Sequence, residues 1–388
     1  MRKLALSDEI LLKVDKAARY IGGEVNSVMK DKNEVEIRFA MCFPDVYEID
    51  MSNLGMMILY NMFNQREDVW CERLFSPWPD LDKVMREKKI PLFALESQEP
   101  IRDFDFLGIT IGYEMCYTNI LQVLDLSGIP LKSADRGEDF PIVIGGGACA
   151  YNPEPLAPFF DMFYIGEGET VYDALFDAYK ANKKAGGSRK DFLLAAAKIT
   201  GIYVTSLYEV TYKEDGTIAS FAPTADGVPE KVQKQLIIDM EKEYRAVEAP
   251  VVPHIKATQD RVTLEIQRGC IRGCRFCQAG MIYRPTRERD VETLKESARI
   301  MLKNTGHEEI SLSSLSSSDY SQLKELVNFL IEEFHGKAVN ISLPSLRIDA
   351  FALDVMSKVQ DVKKSSLTFA PEAGRRLSGW TRMRRSLI

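Results

Sequence analysis

No apolar stretch in this chain is long enough to span a bilayer: the longest uncharged runs, such as Ile142 to Tyr151, are interrupted by glycines. The opening residues, MRKLALSDEILLKVDKAARY, carry acids inside their apolar pattern and no small-residue cleavage site, which argues against a secretory signal. Neither charge sign is in large excess. The 50 Lys and Arg against 57 Asp and Glu leave a formal charge of −7, too mild for a bulk polyanion binder. The 24 glycines and 17 prolines are scattered, and no low-complexity tract or fixed-period repeat is evident. These absences argue against membrane, secreted, collagenous and disordered classes, and a length of 388 residues bounds the chain at two or three domains. Histidine is scarce: His254, His307 and His335 are neither adjacent nor spaced as a ligand set.

Cysteine is sparse and unevenly placed. Cys42, Cys71, Cys116 and Cys149 stand singly and read as small buried hydrophobes, whereas Cys270, Cys274 and Cys277 fall together. An odd total of 7, no export signal and one tight cluster point to a reducing cytoplasm and a metal site, not a disulfide framework. The cluster has C-x3-C-x2-C spacing, with Phe276 just before its last cysteine. Thiolates select zinc or iron–sulfur centres, and structural zinc asks for four protein ligands, commonly in two separated pairs. Zinc here would need a fourth ligand converging from Cys149 or His307. A three-thiolate loop instead suits a four-iron cluster with one iron left open to a small molecule.

Apolar periodicity organises the rest as α/β. Residues 1–30 read as an amphipathic helix and lead-in. Strands are expected at 34–40, 92–95, 104–112, 141–147 and 160–166, and helices at 53–65, 117–128 and from about Glu169 to Asn182. Near-continuous apolar strands alternating with helices imply a wound, Rossmann-like parallel sheet covered on both faces. A hairpin across KEDGT closes this domain, placed at 1–237, and a charged, proline-bearing linker is expected at 238–258. A second strand–helix series fills 259–388. It has strands at 262–266, 308–314, 339–343 and 365–370, a helix capped by Asp290 and ended near Gly306, one after Asp319, and a short one near 350–359. Four such repeats suggest a wound barrel or part-barrel.

EIQRGCIRGCRFCQAG, met directly after a strand, resembles the radical S-adenosylmethionine (SAM) enzymes. The resemblance implies that Cys270, Cys274 and Cys277 hold a four-iron, four-sulfur cluster whose open iron chelates SAM. Reductive cleavage would then give a 5′-deoxyadenosyl radical, with an electron donor such as flavodoxin or ferredoxin as partner. It also implies that Phe276 packs by the adenine. Asp319, after the second strand, is a candidate for the methionine amino group and equally for a helix N-cap. Ser345 and Arg347 in LPSLRID resemble methionine-carboxylate contacts, and Glu372 is a candidate ribose or substrate contact. No further catalytic residue is indicated.

The phrases FPDVYEIDMSNLGMMILY, GGGACAYNPEPLAPFFD and YIGEGE resemble an uncharacterised bacterial branch in which a cobalamin-binding-like domain precedes the radical domain. Where that signature has a cobalt-ligating histidine, this chain has Ser52, in Asp50-x-Ser52-x-x-Gly55; the Gly-Gly that receives the nucleotide tail resembles Gly145 and Gly146. Either cobalamin binds without a histidine ligand, or the fold has lost its cofactor; the degenerate elements favour the second.

Arg268, Arg272, Arg275, Arg284, Arg287 and Arg289 crowd the cysteine loop. They are compatible with steering RNA, or with salt bridges in a solvated loop. The resemblance implies modification of RNA or protein, of methyl or methylthio type. Only four radical-domain strands are legible and the pattern stops near Gly374, so the expectation is a C-terminally truncated part-barrel with an open sheet edge. The alternative function is accordingly a noncatalytic, cluster-binding fragment.

Overall fold

The computed structural model describes residues 4–244, 246–337 and 339–345. It divides into an N-terminal unit, Met1–Ile237 with Val251–Thr258, and a C-terminal unit, Ile238–Pro250 with Gln259–Ile388. Residues 238–258, expected as a linker, are therefore shared between the two. No helix among the described residues is long and apolar enough to cross a membrane.

The N-terminal unit is built on strands β1 (Ile37–Phe43), β2 (Val69–Phe75), β3 (Phe106–Thr110), β4 (Ile142–Gly146), β5 (Met162–Tyr164) and β6 (Ile202–Tyr203). They lie in the order β2-β1-β3-β4-β5-β6, all parallel except the last pair. Alternation along β1 shows why both faces are covered. Ile37, Phe39, Met41 and Phe43 enter one core with the helices Leu54–Gln65 and Tyr172–Lys184; Ala40 and Cys42 enter the other. Phe39 lies over Gly108, where any Cβ would collide with its ring, and packs edge-on to Phe63 at 4.9 Å. A hairpin, β7 (Tyr208–Tyr212) and β8 (Ile218–Pro223), forms a separate, largely exposed ribbon across KEDGT.

Three elements differ from the apolar-periodicity reading. Residues 4–30 hold only the short helical turn Asp8–Leu11 and a 3-10 turn at Ala17–Arg19, because Lys16 at φ 51° breaks the run. Residues 92–95 are buried loop, not strand, held by the Leu92 N–H to the Leu126 carbonyl and by one bridge between Phe93 and Pro100. β2 is a full strand that apolar counting passes over, since its centre is Glu72-Arg73. Both side chains are buried and paired, and burial raises the Glu72 carboxyl above its ordinary range. Arg73 pairs with Glu96 (2.6 Å) and Glu24 (2.9 Å), Tyr60 donates to Glu96 (2.9 Å), and Arg38 pairs with Glu72 (2.6 Å).

The C-terminal unit contains β9 (Val262–Glu265), the short pair β10 (Gln267–Arg268) and β11 (Arg287–Glu288), β12 (Glu309–Ser313) and β13 (Asn340–Ser342). β13-β12-β9 form a parallel sheet covered by the helices Val291–Thr305 and Leu323–Glu333. Asp290 caps the first helix through the Glu292 N–H, and Gly306 ends it at φ 71°. The strand expected at 365–370 and the helix near 350–359 lie outside the described residues.

Removing one member of a buried ion network strands the others without solvent or partner. Glu96→Ala, which leaves Arg73 and Tyr60 short of an acceptor, is expected to cost about 3–5 kcal/mol. Glu96→Gln should cost less. Urea denaturation followed by circular dichroism reads both.

Candidate cluster and cofactor site

Because β9, β12 and β13 run parallel, the loops leaving them emerge at the same end of the sheet. That end carries the cysteine loop after β9, Ser314–Asp319 after β12, and Leu343–Ser345 after β13. The loops are joined directly: Ser317 Oγ donates to the Pro344 carbonyl (2.7 Å), and the Gln267 amide reaches the Ser316 carbonyl (3.5 Å). Gln267 is buried, and its Oε1 has no partner among the described residues.

The cysteine loop is bracketed by the antiparallel pairing Gln267↔Glu288 and Arg268↔Arg287. Gly269 opens it at φ 80°, and a Cβ there would stand 2.6 Å from the carbonyl oxygens of both Tyr283 and Pro285. Only glycine tolerates both the backbone conformation and the approach. Inside the loop the Cys277 N–H bonds the Cys274 carbonyl (3.0 Å). Backbone N–H groups of Arg272 and Gly280 meet Cys270 Sγ (3.4 Å) and Cys277 Sγ (3.3 Å). Such donors stabilise a thiolate more than a thiol.

Burial separates this trio from the other cysteines. Cys270, Cys274 and Cys277 are partly exposed; Cys42, Cys71, Cys116 and Cys149 are buried. Burial pushes all four of those thiols up, Cys42 and Cys71 well above the ordinary range, so they stay protonated core groups. The donor chemistry of the trio fits a thiolate-held cluster. Among the described residues no three His, Cys, Asp or Glu side chains gather as a single ion requires, whereas the corners of a four-iron cluster accept thiolates from farther apart. His307 does not supply a fourth zinc ligand. It pairs with Asp260 (3.4 Å) ahead of β9 and β12, at the opposite end of the sheet from the cysteines.

Around the cysteines lie Phe276 (74% exposed), Ile271 (62%) and Met281 (51%), an exposed apolar surface. Asp319 does not cap the following helix, whose N-cap is Gln322; it ends a 3-10 turn, Ser317–Asp319. Its carboxylate takes both Nε (3.0 Å) and Nη2 (2.5 Å) of Arg272 and the Ser316 hydroxyl (2.7 Å). Ser345 follows β13 in an exposed position at φ 60°. Arg347 and Glu372 lie outside the described residues. The arginine cluster is largely engaged within its own unit. Arg268 pairs with Glu265 (3.0 Å), Arg272 with Asp319, Arg287 donates to the Pro285 carbonyl (3.1 Å), and Arg289 lies over Tyr244 (4.3 Å). Arg275 and Arg284 are the exposed members.

In the N-terminal unit, Ser52 follows β1 and donates to the Glu48 carbonyl (3.0 Å), while burial holds the Asp50 carboxyl well above the usual carboxylate range. A Cβ at Gly145 would meet the Phe163 ring (2.7 Å) and Ile111 (3.0 Å); one at Gly147 would meet the Ile111 carbonyl (2.9 Å). Only Gly112 and Gly146 face open space there. The expected pair is thus divided: Gly145 is packed against this chain's own side chains, and Gly146 faces open space.

Two family descriptions match: "Radical SAM proteins, N-terminal" over residues 55–205 and "Radical SAM superfamily" over residues 264–386. The chain belongs to the radical SAM superfamily, a superfamily of enzymes. An uncharacterized protein of Methanocaldococcus jannaschii is 28% identical over 336 residues, covering 86% of this chain and 60% of the relative. A putative methylthiotransferase of the same organism is 26% identical over 164 residues, 38% of this chain and 36% of that one. Among solved structures, the cobalamin-dependent SAM radical enzyme OxsB, with aqua-cobalamin and SAM bound, shares the fold at TM-score 0.56 and 14% identity. That match covers 90% of this chain and 45% of OxsB. The matches thus span 36–60% of the length of these proteins.

Gly269→Ala is expected to strain the loop by about 1–3 kcal/mol, from left-handed backbone and the carbonyl approach. Hydrogen exchange across 270–280 should quicken roughly tenfold, a factor worth about 1.4 kcal/mol, while the helix Val291–Thr305 keeps its protection.

Proposed function

We propose that the chain holds a four-iron, four-sulfur cluster through Cys270, Cys274 and Cys277, and SAM beside it, for radical modification of RNA or protein of methyl or methylthio type. The observation that carries this is the partly exposed trio of thiols with backbone N–H groups directed at two of its sulfurs. When bound, the cluster supplies the electron that breaks a carbon–sulfur bond of SAM; flavodoxin or ferredoxin is the proposed source. The chain's own residues orient and exclude water. Phe276, Ile271 and Met281 offer apolar surface for the adenine side of the cofactor. Ser345 and the acceptor of Gln267 stand at the same sheet end as polar groups for its methionine part, with Arg347 and Glu372 proposed from sequence alone.

The methylthio assignment draws on the sequence resemblance and on the putative methylthiotransferase. For RNA, local charge is a weak argument, since most of the loop arginines are spent on neighbours within the unit. Cobalamin is not part of the proposal, because Ser52 stands where the signature has a cobalt-ligating histidine and Gly145 is packed against Phe163 and Ile111.

Anaerobic reconstitution with iron and sulfide, then reduction with SAM and chromatography for 5′-deoxyadenosine, tests the reading. Wild type should take up iron and release 5′-deoxyadenosine, and Cys274→Ala should lose both. Iron uptake without cleavage would favour the noncatalytic, cluster-binding alternative. No cluster in the wild type would sink the proposal.

A further inference from the structure

Arg272 sits between the first two cysteines and touches three parts of the site at once. Its N–H meets Cys270 Sγ (3.4 Å), its carbonyl accepts from Arg284 (3.3 Å), and its guanidinium closes a two-pronged pair on Asp319. Asp319 is itself held by the Ser316 hydroxyl, and Ser317 of the same turn is tied to Pro344. This pair links the loop between Gly269 and Gly280 to the turn after β12. Its carboxylate is mostly buried (7% exposed), so the pair is less screened than a surface bridge.

Resting on the cluster reading above, we propose that Asp319 and Arg272 form a clasp that positions the cysteine loop for its cluster, and that Asp319 does not contact the methionine amino group. A carboxylate whose two oxygens are already taken by a guanidinium fork and a hydroxyl has little left for an ammonium, and releasing the fork would free the loop that carries the thiolates. Both are positioning residues: they act through Cys270 and its neighbours. Partners lying behind metal ligands in this way typically change metal affinity by roughly 10–100-fold.

The test is iron release from reconstituted protein to a chelator, for wild type, Arg272→Gln, Asp319→Asn, the double variant and the charge swap Arg272→Asp/Asp319→Arg. Each single variant should lose iron roughly tenfold faster, and the double variant should be no worse than either single, since the two residues act as one unit. The swap should recover part of the retention. Arg272→Lys, which keeps the charge but not the fork, should fall between wild type and Arg272→Gln. In apoprotein, the single variants should quicken hydrogen exchange across 270–280, a readout that needs no metal. Unchanged iron retention and exchange in Asp319→Asn, with only SAM binding weakened, would overturn the clasp and return Asp319 to the cofactor. Additive losses in the double variant would overturn it as well. A wild type that takes no iron would instead defeat the cluster reading itself, leaving the exchange measurement to judge the pair.

Discussion

The candidate site depends on one close approach. At Gly269 the backbone passes so near the Tyr283 and Pro285 carbonyls that no side chain fits, and this crossing turns the end of β10 into a loop that returns as β11. Everything with chemistry in the C-terminal unit follows from where that crossing sits. It sets the exit of the three cysteines at the end of the sheet where β12 and β13 also release their loops, and it brings Arg272 within reach of Asp319. Parallel strands make this economical: one direction of travel delivers several loops to one place.

The N-terminal unit meets a different constraint. Its sheet order has β1 flanked by β2 and β3, which opens a crevice at the ends of those strands in folds of this kind. Ser52 and Gly112 follow β1 and β3, Gly146 ends β4 facing open space, and Gly145 before it is packed against Phe163 and Ile111. Buried ions do further work at the opposite edge, where Arg73, Glu24 and Glu96 hold β2 against the segment around Glu24. Such a network is costly to desolvate and costly to break, so it specifies one arrangement more than it adds net stability.

The cysteine trio, the parallel α/β class and the helix from Asp290 to Gly306 were legible in the sequence because each has a local signal: a spacing, an apolar period, a cap and a glycine. β2 was not, since Glu72-Arg73 reads as surface until their partners are known. Nor was the fate of the loop arginines. Six in a short stretch suggest a field directed outward, but side chains such as Glu265, Asp319 and Tyr244 absorb most of it. Asp319 itself shows the limit of position-based reading. Its place after a strand suggested a cofactor contact or a helix cap, and the fold engages it with Arg272 instead.

By itself, then, the order of residues determined which thiols stand together and which segments alternate as strand and helix, because both depend on neighbours within a few positions. Tertiary structure alone decided which charges are spent on one another, which glycines face open space and which are packed shut, and that His307 lies at the far end of the sheet from the cysteines. Those outcomes turn on pairs of groups distant in sequence. No spacing rule carries the distance between them.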